Sequence, residues 1–221
     1  MTRSATAMAL LFSIVLSGQT IRFDEGQAGQ PPKGWSTGMT HKGGAPKWEL
    51  VRDSSAPSAP NVLAQTSTDS TGGRFPFAVF DGANLKDGSV SVRFKAVSGR
   101  VDQAAGLVWR FRDADNYYIV RANALEDNVV LYKVENGERV SLAPKGLPSK
   151  TYGVKHTVEK QVWSTMKVDF KGSVFTVSLN GEKVMEVEDK TFPGAGKTGV
   201  WTKADSVSYF DDFEVVKTDI R

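Results

Sequence analysis

The sequence predicts an all-β protein in which two antiparallel sheets pack face to face. Three observations carry the prediction. Short runs alternate apolar and polar residues with period 2, Asn-Gly pairs separate two sets of such runs, and no stretch sustains a 3.6-residue period. With roughly ten or more strands and one apolar interior, an open sheet would leave an apolar face in water, so two packed sheets are the economical solution.

The chain begins with a short positive segment, Met1, Thr2 and Arg3, followed by a mainly apolar run at residues 5–16. Such a run reads as a secretory leader and is too short to span a bilayer. Val15, Leu16 and Ser17 suit a signal peptidase, so cleavage is expected after Ser17, within two or three residues. The alternative, a buried N-terminal strand, lacks the period-2 pattern. The expected organisation is a signal peptide at 1–17 and one β-sandwich domain at 18–221, best supported over 75–216.

Residues 26–60 are rich in Gly, Pro, Ser and Lys, with Phe23, Trp35 and Trp48 as isolated aromatic anchors. This reads as a loop-rich opening with one or two short strands, such as 47–51. At 89–95, Val90, Val92 and Phe94 share one face while Ser91, Arg93 and Lys95 share the wet one. A hairpin is expected to turn at Asp113-Ala114-Asp115-Asn116 and join 106–112 to 117–122. A symmetric four-residue loop would set Phe111 opposite Tyr118, Trp109 opposite Val120 and Leu107 opposite Ala122 as a core face. The other face would then collect Val108, Arg110, Arg112, Tyr117, Ile119 and Arg121.

Asn136-Gly137 lies between strand runs at 129–135 and 139–142, and Asn180-Gly181 between 173–179 and 183–188. Both residues of an Asn-Gly pair tolerate positive φ, which a two-residue hairpin turn requires. Trp109, Trp163 and Trp201 read as core residues.

The composition fits one globular domain: 221 residues, 40% hydrophobic and 24% charged. There is no cysteine, which excludes a disulfide framework, a thiol nucleophile and the acylated cysteine of a bacterial lipoprotein. The formal net charge of +3 is scattered, with no block of five like charges, and argues against nucleic acid as partner. After leader cleavage a monomer with no membrane anchor is expected.

The run Gly106-Leu107-Val108-Trp109-Arg110-Phe111-Arg112 with Asp115-Asn116-Tyr117-Tyr118 is followed by Trp163 and by Ser178-Leu179-Asn180-Gly181. Gly199-Val200-Trp201 and Tyr209-Phe210-Asp211-Asp212-Phe213 close the series. In this order the motifs resemble the concanavalin A-like lectin/glucanase superfamily, nearest to bacterial laminin-G-like domains and to 3-keto-disaccharide hydrolase domains of the family-sixteen glycoside hydrolase-like kind. The likeness covers residues 75–216. It implies a jelly roll of two antiparallel sheets with an oligo- or polysaccharide as the ligand class; it does not by itself imply catalysis.

A family-sixteen glucanase carries Glu-x-Asp-x-x-Glu on one strand, where alternation turns its carboxylates to one face. No Glu here has an Asp two positions on, and Glu186-Val187-Glu188-Asp189 reads as a solvated strand end. Gly34-Trp35-Ser36-Thr37-Gly38 has the spacing of a nucleophile elbow, but Pro31-Pro32-Lys33 stands where that motif needs a buried strand. The only histidines, His41 and His156, form no pair of metal-ligand spacing. Asp113, Asp115 and Asn116 are the candidate calcium ligands, an ion that the resemblance brings into question; the same residues suit turn hydrogen bonds. No other cofactor is expected. Asp211 and Asp212 would chelate jointly only across a bulge.

The candidate ligand-binding set is Arg110, Arg112, Tyr117, Arg121 and Asn123, with Trp201 and Lys203 from the strand after Gly199. Aromatic faces stack on sugar C–H surfaces, and Arg and Asn supply directional donors to hydroxyls. The bland reading is a wet β-face whose Arg stems cover apolar surface. The expected function is an exported, periplasmic or secreted, carbohydrate-binding module without catalysis. The alternatives are a glycoside hydrolase similar to the 3-keto-disaccharide hydrolases, with unassigned carboxylates, and a structural or adhesive β-sandwich with a protein partner.

Overall fold

A computed structural model describes residues 14–220 and contains strands and turns but no helix among them. In chain order the strands are β1 (Ile14–Ile21), β2 (Trp35–Thr40), β3 (Trp48–Arg52), β4 (Asn61–Gln65), β5 (Phe75–Leu85), β6 (Gly88–Ser98), β7 (Ala104–Asp113) and β8 (Asn116–Asn123). They continue with β9 (Asn128–Glu135), β10 (Glu138–Ser141), β11 (Val154–Lys155), β12 (Trp163–Lys171), β13 (Val174–Leu179), β14 (Glu182–Glu188), β15 (Gly196–Thr202) and β16 (Val207–Ile220).

Two antiparallel sheets form a sandwich. The first has the order β14-β13-β12-β6-β16-β4-β3, with β1 also on β16; the second has the order β10-β9-β8-β7-β15-β5-β2, with β11 on β9. Strand β16 bonds to β6 along one side and to β4 and then β1 along the other. A bulge at Asp212, whose φ is 42°, separates its β4 and β1 stretches. Of the expected leader, residues 1–13 lie outside the described residues; 14–17 are extended, and Ser17 stands opposite Lys217.

Alternation builds the interior as the sequence predicts. Val90, Val92, Phe94, Leu107, Trp109, Val120, Phe175 and Val177 meet between the sheets at 1% exposure or less, each contributing about 1.5–3 kcal/mol by leaving water. The Trp109 ring stacks on Tyr118 at 5.5 Å and meets Phe175 edge-on at 5.3 Å. Both Asn-Gly turns form, with φ of 52° and 82° at Asn136-Gly137 and 51° and 85° at Asn180-Gly181. These left-handed values belong to the two-residue turn that follows strand twist.

The hairpin of β7 and β8 departs from its expected register. Its turn is the two residues Ala114-Asp115, and Trp109 faces Tyr118, Leu107 faces Val120 and Ala105 faces Ala122. A bulge between Trp109 and Asp113, with Arg110 at φ 48°, takes up the difference. It also exchanges two side chains: Arg110 turns to the rings of Phe170 and Phe175, and Phe111 joins Phe77 and Tyr117 on the other face.

Two further expectations fail on the outer side of the first sheet. Lys95 is 9% exposed rather than wet, because the loop after β3 covers it: Asp53 pairs with its ammonium and Ser55 accepts from it at 3.0 Å. Trp163 is not core; its ring lies 5.1 Å from Lys95 Nζ and its Nε1 donates to Ser55.

Candidate functional site

Along β8, Tyr117, Ile119, Arg121 and Asn123 point away from the interior, as do Val130, Tyr132 and Val134 of β9. One end of this outer face is a second apolar layer that includes Phe75, Phe77, Val108, Tyr117, Ile119, Val134 and Trp201. Loops brought from distant sequence cover it. Thr40 Oγ1 lies 2.7 Å from the Tyr117 hydroxyl, and His41 bonds the carbonyls of Gly73 and Gly137 at 2.8 and 2.7 Å. Tyr117 and Trp201 are consequently fully buried, and burial pushes the Tyr117 phenol up to about 12. Neither ring offers a face for stacking.

The other end is polar and reaches solvent. Arg121 is buried, and its guanidinium donates to Asn128 Oδ1, to Glu126 Oε2 at 2.7 Å, to the Tyr152 hydroxyl at 3.1 Å and to the Tyr132 hydroxyl at 3.2 Å. Asn128 Nδ2 also donates to Glu126 Oε2 at 3.0 Å, and the two tyrosine hydroxyls stand 2.5 Å apart. Burial alone would raise the Glu126 carboxyl and lower the Arg121 guanidinium; the oxygens of Tyr132, Glu126 and Tyr152 instead hold Arg121 up, and Arg121 with the Asn128 amide holds Glu126 down, so each is held charged. Beside them Asn123 Nδ2 donates to Asp102 at 2.8 Å, and Lys203 pairs with the other oxygen of Asp102 at 2.9 Å.

Thus the structure gathers Arg121, Asn123 and Lys203 at one polar edge, and sets Tyr117 and Trp201 in the apolar layer beside it. Arg110 lies elsewhere. It is 1% exposed, with donors taken by the carbonyls of Lys86, Phe192 and Gly172. The bulge sends it there, and those bonds leave little for a ligand. Arg112 is exposed over the ring of Phe192, 5.7 Å away.

Glu126, Asn128, Tyr132 and Tyr152 were not among the expected residues. A buried strand arginine demands a carboxylate, and Glu126, in the turn five residues on, was the available clue. Tyr152 sits in a Pro- and Gly-containing loop with no period to place it.

What remains accessible is well suited to a polyol. The Tyr152 ring is 51% exposed and is held from behind through its hydroxyl, while the neighbouring Glu126 carboxylate, 39% exposed, keeps lone pairs toward solvent. A fixed ring face and an ionised acceptor can hold C–H surface and hydroxyls together.

The other candidates have local structural roles. Asp113 Oδ1 accepts from the Asp115 amide at 2.8 Å and from Asn116 Nδ2 at 2.9 Å, and Asn116 Oδ1 accepts from the Asn136 amide. These turn bonds engage Asp113 Oδ1 and Asn116 Oδ1, the local role that such residues commonly take in tight turns. Ser36 lies on edge strand β2, where its hydroxyl donates to Asp81, and a strand rather than a helix follows it. Asp211 does sit beside a bulge, yet its oxygens take the amide and hydroxyl of Ser58; burial raises its carboxyl above the usual range. In the acidic cluster, Glu186 is ion-paired at the surface, but Asp189 is partly buried and accepts from the Tyr118 hydroxyl at 2.5 Å.

Two clefts on other surfaces, of about 610 Å³ beside Phe23 and Trp35 and about 710 Å³ beside Lys167 and Asp169, carry no comparable network. The first is bordered mainly by the loop at 25–33, and in the second Lys167 and Asp169 pair with each other at 2.8 Å.

A family described as the 3-keto-alpha-glucoside-1,2-lyase-like domain matches residues 23–215. No curated protein matches the chain. Among solved structures, the carbohydrate-binding module CBM66 from Bacillus subtilis superposes with a TM-score of 0.61 at 19% identity, over 84% of this chain and 95% of that one. The cellulose-induced protein Cip1 gives 0.56 at 13% identity, over 89% and 96%. A Bacillus subtilis protein with a galectin-like fold gives 0.54 at 16% identity, over 86% and 91%. At these identities the likeness is one of fold.

Proposed function

Starting from the fact that this chain belongs to the 3-keto-alpha-glucoside-1,2-lyase-like domain family, we propose that it is an exported carbohydrate-recognition module. It holds a saccharide at Tyr152 and Glu126, on the outer face of the second sheet, without cleaving it. The observation that carries the reading is the Arg121 network. One buried guanidinium fixes a half-exposed aromatic ring and an ionised carboxylate side by side, so little side-chain freedom is lost on binding. The carbohydrate-binding neighbour of the same fold agrees with this ligand class, and the apolar start of the sequence supports export.

The family's description favours a second reading, cleavage of 3-keto-glycosides. Asp102 and Glu126 lie at the same edge, with Lys203 near both. A general acid would need a raised carboxyl, and Glu126 is instead held ionised by Arg121 and Asn128. An ionised Glu126 is poorly suited to be a general acid but remains able to act as a base, so the product assay below decides between the readings.

The test is to incubate the purified protein with a panel of oligosaccharides and 3-keto-glycosides, recording both products and melting temperature. Ligand-dependent stabilisation without product supports the module. Product formation replaces it with the lyase or hydrolase, and silence on both counts removes carbohydrate as the ligand.

A further inference from the structure

Arg139 lies on β10 opposite Val134, on the same outer face as Arg121. Its guanidinium carbon is 4.4 Å from the ring centre of Phe75, 4.5 Å from that of Tyr132 and 5.8 Å from that of Trp201. The other cations of this face have protein partners. Arg121 pairs with Glu126 and Lys203 with Asp102, while Arg74 donates to the carbonyls of Gly44, Ala45 and Ala204 and to Ser67. Arg139 makes no hydrogen bond and no ion pair with any described residue, and its Nη1 is buried without a partner.

A guanidinium removed from water needs compensation. Ring faces supply part of it, but they give the in-plane N–H donors no oxygen to bond. The complement of that planar fork is a planar anion, and a carboxylate matches it with two parallel hydrogen bonds. Tyr132 ties this cation to the recognition site: the Arg121 guanidinium lies 5.9 Å from the same ring centre, and the Tyr132 hydroxyl stands 2.5 Å from that of Tyr152. A ligand resting on Tyr152 therefore has a positive charge with no ion-pair partner among the described residues one aromatic ring away.

We propose that the saccharide bound here is acidic: a uronic acid residue stacks on Tyr152 and its carboxylate is received by the accessible edge of the half-buried Arg139. The proposal rests on the recognition site described above and adds the ligand's charge to it.

The experiment is calorimetric titration of the whole protein with an oligouronide and with the same oligosaccharide after its carboxyl groups have been reduced to alcohols, at low and at moderate salt. The uronide is expected to bind at least tenfold more tightly, with an advantage that shrinks as salt rises. Arg139→Gln should bring the two ligands within about twofold of each other. Arg139→Lys, which keeps the charge but not the fork, should retain part of the preference, and it carries the test if the Gln variant melts early. Equal binding of the two ligands overturns the proposal, as does a preference that survives Arg139→Gln. Tighter binding of the neutral sugar by that variant also overturns it, since Arg139 would then be a plug over the rings. If neither ligand binds, and no neutral oligosaccharide does, the recognition site itself is wrong.

Discussion

Gly196 and Arg110 are locked backbone against backbone: a Cβ on Gly196 would stand 2.3 Å from the carbonyl carbon of Arg110 and 2.6 Å from its Cα. The bulge that turns Arg110 inward thus depends on a missing side chain in the neighbouring strand. Gly196→Ala is expected to cost about 1–3 kcal/mol, since backbone rather than a flexible side-chain tip must yield. Urea denaturation should show the lower midpoint.

Arg110 and Arg112 should separate cleanly. Truncating Arg110 leaves the carbonyls of Lys86, Phe192 and Gly172 without their donor and opens space between Phe170 and Phe175. Arg110→Ala is expected to lower stability by about 3 kcal/mol or more. Arg112→Ala, on an exposed residue, should stay within about 0.5 kcal/mol. A thermal melt of each variant decides the matter; equal stability would return Arg110 to the list of surface residues.

Asp205 gives a pH-dependent handle. Burial alone would raise its carboxyl, but the amides of Arg100, Asp102 and Val101 donate to it and hold it below the ordinary value of 3.8. A carboxyl depressed in the folded state contributes stability that is complete above its unfolded value and lost as pH falls through its folded one. Asp205→Asn should therefore cost about 1–3 kcal/mol at neutral pH. The gap to the parent should close progressively below the ordinary carboxylate range. Melting curves from pH 7 down to about pH 2 read this directly.

Within the recognition site, one residue supports and another presents. Tyr152→Ala is expected to weaken saccharide binding tenfold or more with little change in melting temperature, because the ring is 51% exposed. Arg121→Ala should lose binding and also about 2–3 kcal/mol of stability. That is less than a fully buried pair would lose, because Glu126 stays 39% exposed. Paired calorimetry and denaturation separate the two effects.

Much of the fold was legible because its signals are local. The alternation of Val90, Val92 and Phe94 and the two Asn-Gly turns act within a few residues, and the motif order pointed to the family that matches 23–215. The register of the β7–β8 hairpin was not legible, because the bulge that shifts it packs against Gly196, over eighty residues away. The outer face was misjudged for a related reason. Whether Tyr117 and Trp201 are wet is decided by Thr40, His41 and Arg74, whose loops reach that face from far earlier in the chain. Arg121 and Asn123 were legible as a polar edge, whereas their partners Glu126 and Asp102 required the folded turns.

Strand β16 bears on how the molecule comes into being. Val207–Ile220 is the inner rail of the first sheet, and the partners it joins, β4 at 61–65 and β6 at 88–98, are made more than a hundred residues earlier. During synthesis β4 can pair with β3 and β6 with β12, but the two halves of the sheet stay unjoined until residues 207–220 emerge. Pairing across so long a span makes closure of the first sheet a comparatively slow event. A ribosome stalled before residue 207 would release a product that cannot close its first sheet.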